Sequence, residues 1–293
     1  MHPEGEGIGA FATEVLLHGI IDTLKLIPFL FLTYLLMEFI EHRENGNLVR
    51  FLNKAGRAGP ALGGVLGAVP QCGFGAAAAN FYTGRVITIG TLIAVFLSTS
   101  DEMIPILIGG NISPLTVIKI VIYKAAVGIA MGFVVDFAMR LMHRDCRQVN
   151  IDELCENDEC HCERGILHSA IHHTVTVTLF VLAVTVGINA LLFFVGEDKL
   201  SLLFGSVPAV SHLVAAIVGL VPNCATSVLL STLCAEGLIS AGIMMSGLFS
   251  GAGVGFLVLI KVNKHPAENA LIAALLVIFG TVFGLLGELF IFV

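Results

Sequence analysis

Long apolar runs, interrupted by glycine and proline rather than by charge, dominate the chain. Ala58–Gly84, Gly165–Gly196, Leu200–Ala235 and Gly237–Ile260 contain no Asp, Glu, Lys or Arg. A transmembrane helix needs about 20 apolar residues, so each run is long enough to cross a bilayer. The pattern predicts four hydrophobic segments in each half: 13–40, 58–82, 86–109 and 114–141, then 172–195, 207–233, 238–260 and 267–292.

Composition agrees with the pattern. Hydrophobic residues make up 56% of the 293, and charged residues 13%, against roughly 25% in a soluble globular protein. The reading is an all-α polytopic membrane protein, which excludes a soluble enzyme and a nucleic-acid binder. The start of the chain carries Glu4, Glu6 and Glu14 without Lys or Arg, unlike the basic n-region of a removable signal, so the first helix is expected to be retained. Charge concentrates between His143 and His168, with seven acids and three bases. Three regions follow: a first transmembrane repeat over 1–142, a Cys/His/acid-rich loop over 143–170, and a second repeat over 171–293.

The repeat is read from the chain laid on itself at an offset of 152 residues. Leu66-Gly-Ala-Val-Pro-Gln-Cys72 falls on Val218-Gly-Leu-Val-Pro-Asn-Cys224. Gly90, Ser98, Asn111, Pro114, Gly128 and Gly132 fall on Gly242, Ser250, Asn263, Pro266, Gly280 and Gly284. Matches at punctuating and polar residues are not what an overlay of Leu, Ile and Val produces.

Basic residues then set orientation. The 41–57 loop holds Arg43, Arg50, Lys54 and Arg57, whereas its counterpart near 196–206 holds Glu197, Asp198 and Lys199. The Gly109–Ser113 loop has no basic residue, whereas its counterpart carries Lys261 and Lys264. Equivalent loops thus fall on opposite sides, as in the inverted-topology repeats common among secondary transporters. Both termini are expected outside and the central loop in the cytoplasm, in a multi-pass protein of the plasma (inner) membrane. Inversion needs an odd number of crossings per half, so one of the four segments must be broken or re-entrant. Pro70 and Pro222 mark it, because proline removes a helix hydrogen bond and clashes with the preceding turn. Ser98–Pro105 and Ser250–Gly253 are expected to break the next helices, giving ten short segments.

Three groups could carry chemistry. Gln71, Cys72, Asn223, Cys224, Thr226 and Ser227 lie at the two proline breaks, where unpaired helix ends build substrate sites and paired thiols suit soft ions or trivalent metalloids. Asp101 and Glu102, with Lys124 on the next segment, are intramembrane ionisable groups, which are rare and functional by default; they are read as ion-coupling residues. Asp136, Glu288, Asp22 and Lys25 are read as structural. Cys155, Cys160, His161, Cys162, His168 and His172 form a candidate metal-capture group in the central loop, although their spacing is not a standard zinc module. No nucleophile–base arrangement is evident, so no catalytic residues are assigned and an enzyme is not expected. No nucleotide-binding G-x-x-x-x-G-K-[ST] loop occurs, no cofactor is required, and a metal ion enters as cargo. The expected partners are the bilayer, a metal or metalloid and a coupling ion; a homo-oligomer is compatible with the pattern.

The sequence resembles the ten-transmembrane heavy-metal exporters also labelled arsenic efflux permeases. The residues behind the resemblance are Gly67-Ala-Val-Pro-Gln-Cys-Gly-Phe74, Gly219-Leu-Val-Pro-Asn-Cys-Ala-Thr-Ser227 and Cys160–His172. It implies a permease that expels a toxic metal or metalloid, and some members carry a manganese-transporter label. Thiols at Cys72 and Cys224 suit arsenite; Mn²⁺ prefers oxygen and imidazole ligands, which would bring in Asp101 and Glu102 instead. A metal-sensing receptor is the more remote alternative.

Overall fold

The computed structural model describes residues 58–69, 72–99, 103–110, 112–142, 166–195, 208–222 and 224–290, with scattered helical positions between 20 and 35. Among the described residues eleven helices can be delimited, and no strand occurs. The first half contributes α1 (Gly59–Gly67), α2 (Cys72–Thr83), α3 (Ile89–Ser98), α4 (Met103–Gly109) and α5 (Pro114–Leu141). After α6 (Ile166–Val195), the second contributes α7 (Pro208–Gly219), α8 (Cys224–Ala235), α9 (Ala241–Ser250), α10 (Gly253–Val262) and α11 (Pro266–Phe290). At the 152-residue offset, the boundaries of α2 coincide with those of α8, and the boundaries of α3 with those of α9.

The matching boundaries have matching local causes. Thr88 caps α3 by accepting the Thr91 N–H at 3.1 Å, and its repeat mate Ser240 caps α9 by accepting the Ile243 N–H at 3.2 Å. Pro114 and Pro266 open α5 and α11, where a missing N–H leaves no helix bond unmade. The turns before α3 and α9 pass through the left-handed region at equivalent positions, Arg85 (φ 56°) and Gly237 (φ 76°). Glycine adopts that conformation freely, whereas arginine requires the support of its surroundings.

Close approaches fix the directions. Gly59 and Gly63 of α1 lie against Thr91, and Gly67 lies against Val95 and Ser98, so α1 runs parallel to α3. Gly90 meets Gly132 and Asp136, while Gly128 meets Ala94 and Ser98, so α5 runs antiparallel to both. α2 leads through residues 84–88 back to the start of α3, the end at which α1 also begins. The α1–α2 pair is therefore a hairpin whose two outer ends lie together. α7, α9 and α11 repeat the arrangement: Gly219 lies against Gly247, Gly242 against Glu288, and Gly280 against Ser246 and Ser250.

Five spans are long and apolar enough to cross a membrane by length and composition: Ile89–Gly109, Pro114–Leu141, Ala170–Gly187, Ala241–Val262 and Pro266–Leu289. Their surfaces suit lipid. On α5, Leu115, Ile118, Ile122, Phe133 and Phe137 are exposed, while Lys124 and Asp136 are buried. Polar groups inside and apolar groups outside invert the pattern of a soluble helix. The α9–α10 span is the buried one, with 83% of its window inside the protein against 28% for α11.

Candidate functional site at the helix breaks

Four interruptions converge at one depth. Gly128, the fifteenth residue of the 28 in α5, lies beside Ser98 at the end of α3, and Ser98 lies beside Gly67 at the end of α1. Both first-half breaks therefore sit level with the middle of α5. In the second half Gly280, the fifteenth of 25 residues in α11, lies beside Ser250, and Gly219 packs near Gly251. At about 1.5 Å per residue, the breaks lie roughly 20 Å from both ends of α5, and roughly 20 and 15 Å from the two ends of α11.

The halves interlock there. Gly255, in the first turn of α10, lies on the backbone of Gly75 in the first turn of α2. At the other ends of these helices, Tyr82 and Arg85 reach Glu268 just beyond α10. α2 and α10 thus run parallel, with their N-termini side by side at the breaks, where exposed N–H groups carry partial positive charge. Reciprocally, α4 and α8 pack together, and Gly110 abuts Ala235 at their C-terminal ends.

Lys124 joins this centre. It is wholly buried, its Nζ donates to the Leu248 carbonyl at 2.8 Å, and it lies 5.6 Å from the centre of the Phe249 ring. The acceptor is explained by the break. α9 stops at Ser250, and the Ala252 N–H turns to the Ser250 carbonyl at 2.9 Å rather than continuing the helix. Lys124 supplies a donor to this last turn, and its charge opposes the negative end of α9. Tyr123 beside it donates to the Phe283 carbonyl at 2.7 Å, so consecutive residues of α5 tie the first half to α9 and α11.

Of the substrate-binding candidates, Thr226 is buried in the first turn of α8 and donates to the Val221 carbonyl at 3.3 Å across the break, while Ser227 is partly exposed. Cys72 and Cys224 begin α2 and α8; their side chains, with Gln71 and Asn223, lie outside the described residues. Asp101 and Glu102 also lie outside them, in the interval between α3 and α4. Cys155, Cys160, His161 and Cys162 are likewise undescribed. His168 and His172 fall on α6, His172 exposed and the His168 side chain undescribed. Among the described residues, no three His, Cys, Asp or Glu side chains come together to hold a metal ion.

Two polar clusters escape sequence reading. At the outer ends of α2 and α11, Glu268 accepts two hydrogen bonds from Arg85, at 3.0 and 3.2 Å, and one from Tyr82 at 2.8 Å. Burial works against the Arg85 charge, but the hydrogen bonds and charge of Glu268 outweigh it and raise the Arg85 pKa. The partners are 183 residues apart, which no local spacing rule detects.

The second cluster brings together an imidazole, a hydroxyl and a carboxylate that lie far apart in the sequence. His212, wholly buried on α7, has Nδ1 at 2.7 Å from the Ser246 hydroxyl and Nε2 at 2.7 Å from a Glu288 carboxylate oxygen. That oxygen is close enough for an ion pair, yet it lies off the line of a well-formed hydrogen bond. Ser246 is itself completely buried. A hydrolytic triad needs a substrate-accessible nucleophile, which the enclosed Ser246 does not offer. Asp136, the repeat mate of Glu288, does act structurally: it accepts the Gly90 N–H at 2.9 Å and the Thr88 hydroxyl at 2.7 Å, completing the cap of α3.

No curated protein and no solved structure matches the chain. A family model described as "Putative, 10TM heavy-metal exporter" matches residues 12–204. That match takes in the first half, the central loop and α6, about two thirds of the chain. The chain belongs to this family of 10TM heavy-metal exporters.

Proposed function

We propose that the protein is a secondary transporter that expels a heavy metal or metalloid by alternating access, through a site where the broken helices of two inverted repeats meet. The observation that carries this reading is the convergence of all four breaks at the mid-depth of α5 and α11. Backbone freed by a break within a bilayer is tolerated where it is buried in protein or lines a water-filled cavity, and transporters place substrates at such ends.

In this reading α1–α2 and α7–α8 are re-entrant hairpins entering from opposite faces, which leaves three crossings per half and makes inversion possible. Both termini lie outside, and the central loop lies in the cytoplasm of a plasma-membrane protein. Cys155, Cys160, His161, Cys162, His168 and His172 collect the cargo there. Gln71, Cys72, Asn223, Cys224, Thr226 and Ser227 contact it at mid-depth, and Asp101, Glu102 and Lys124 couple its movement to an ion. The adjacent N-termini of α2 and α10, together with the Lys124 cation, favour a neutral or anionic oxygen-bearing metalloid over a bare dication. Arsenite meets that description, and Mn²⁺ does not.

Tyr82, Arg85 and Glu268 serve as the cytoplasmic gate, because they clamp the first hairpin to α11 of the other half. Their repeat mates, Cys234, Gly237 and Thr116, cannot form an ion pair, so the outer gate has no such clamp. Efflux into inverted vesicles from a panel of arsenite, Mn²⁺, Zn²⁺ and Co²⁺ tests the reading. Arsenite exchange lost in Cys72→Ser and retained in Asp101→Asn, which should lose only its coupling to the gradient, is expected. The reverse pattern, with Mn²⁺ moved, would establish the hard-cation alternative, and movement of none of the four would overturn the assignment of cargo.

A further inference from the structure

The repeat makes three positions comparable in the two halves. Where the first half has Pro60, Ala94 and Asp136, the second has His212, Ser246 and Glu288. In the first set Asp136 completes the cap of α3, and Pro60 and Ala94 lie around Gly132. The second departs from it at all three positions, and the departures touch one another: His212 lies within 2.7 Å of both Ser246 and Glu288. A buried imidazole needs partners for its nitrogens; here α9 supplies a hydrogen bond to Nδ1 and α11 a carboxylate at ion-pair distance from Nε2.

Proton counting shows what the cluster can do. The Ser246 hydroxyl has two acceptors in reach, His212 Nδ1 at 2.7 Å and the Gly242 carbonyl at 3.2 Å. With the imidazole neutral, Ser246 donates to Nδ1 and Nε2–H faces the Glu288 carboxylate. When one proton is added, Nδ1–H donates to Ser246, whose hydroxyl turns to the Gly242 carbonyl, and Nε2 and Glu288 still have a proton between them. In both states Nδ1 keeps its hydrogen bond with Ser246 and Nε2 keeps its 2.7 Å contact with the Glu288 carboxylate, and the whole change is one hydroxyl rotation and one added proton. Imidazole is the ordinary side chain that exchanges a proton between pH 5 and 8. The Glu288 side chain is 38% exposed while His212 is fully enclosed, so the carboxylate links the imidazole to the surroundings. Of the elements packed on α7, α9 brings no charged side chain, α11 brings Glu288, with Glu268 at its far end, and α8 carries the Cys224 and Cys234 thiols at its two ends.

We propose that His212, Ser246 and Glu288 form a proton-binding site, entered from the end of α11, whose loading couples proton entry to cargo export. The coupling half of this proposal rests on the transporter reading above; proton binding does not. Ser246 lies one turn before the break at the end of α9, the same helix end that Lys124 holds through Leu248, so a change at the proton site is transmitted along α9 to the centre.

The test has two arms on the purified full-length protein. In the first, ¹⁵N-histidine NMR of wild type is compared with His212→Gln and with the milder Ser246→Ala and Glu288→Gln. One imidazole that gains a proton between pH 5 and 8, is absent from His212→Gln and has its midpoint moved by the other two changes is expected. Should His212→Gln fail to fold, the shift in the milder variants makes the assignment. A His212 that keeps one protonation state across this range overturns the site. In the second arm, proteoliposomes containing a pH-sensitive dye receive arsenite or Mn²⁺ on the cytoplasmic face and acid on the other. Cargo-dependent proton entry is expected in wild type and lost in Glu288→Gln, while cargo exchange at equal pH persists. Proton entry that survives in Glu288→Gln overturns coupling at this site. If wild type moves neither probe, the transport reading for those cargoes fails, and the NMR arm still decides whether the proton binds.

Discussion

The crossing of α2 over α10 yields a test in which two glycines at one contact respond differently. A Cβ built on Gly255 would lie 2.7 Å from the carbonyl carbon of Gly75, 2.9 Å from its oxygen and 2.9 Å from the Phe96 ring. Two of these atoms are helix backbone and cannot rotate away. A Cβ built on Gly75 would meet the Gly255 Cα at 3.6 Å and nothing closer, an ordinary van der Waals contact. Glycine to alanine raises helix propensity by about 1 kcal/mol at either position, so that term cancels between the variants. What remains is overpacking at Gly255→Ala, about 1–3 kcal/mol. Gly255→Ala should therefore melt several degrees below Gly75→Ala, at roughly 2–4 °C per kcal/mol for a large domain. The assay is a thermal melt in detergent, with Gly109→Ala as the control, because nothing lies within 4 Å of the Cβ added there. Gly255→Ala should also slow transport, since α2 and α10 begin at the breaks. Equal melting of the two variants would refute the close crossing and the parallel packing derived from it.

Other changes follow from single contacts. Glu268→Gln weakens the clamp on Arg85; with these side chains 20% and 34% exposed, the loss of stability is about 0.5–1.5 kcal/mol, and thiol reagents added from the cytoplasmic side should reach a cysteine placed at Thr99 faster. Asp136→Ala removes both acceptors at the start of α3 and lowers stability by about 1–2 kcal/mol in a denaturant melt. Lys124→Met removes the donor to Leu248 together with a buried charge, two effects of opposite sign. Folding should change little in the melt, whereas gradient-driven efflux should be lost.

Much of the architecture was legible in the chain because glycine, proline and capping residues have local meaning. The offset of 152 paired the segments whose helices share boundaries, and Pro70 and Pro222 marked the first break of each half. Lys124 stood out because a charge in an apolar run needs a reason. Its bond to Leu248 did not, since a backbone carbonyl carries no sequence signal and is freed only when α9 ends. Arg85 and Glu268 carry no local signal that pairs them, and only packing between the halves brings them together. His212 was hidden differently: one histidine in an apolar helix reads as core, and its partners are 34 and 76 residues further on. The departure from the repeat at Pro60/His212 and Ala94/Ser246 was the available signal.

The central claim is that the two halves enter the membrane from opposite faces. Single cysteines in a cysteine-free protein, one within residues 84–88 and one within 236–240, can be labelled in intact cells with a membrane-impermeant maleimide. The account predicts that the 236–240 site reacts from outside, while the 84–88 site reacts only after the cells are opened. Labelling of both sites from the same face would contradict it.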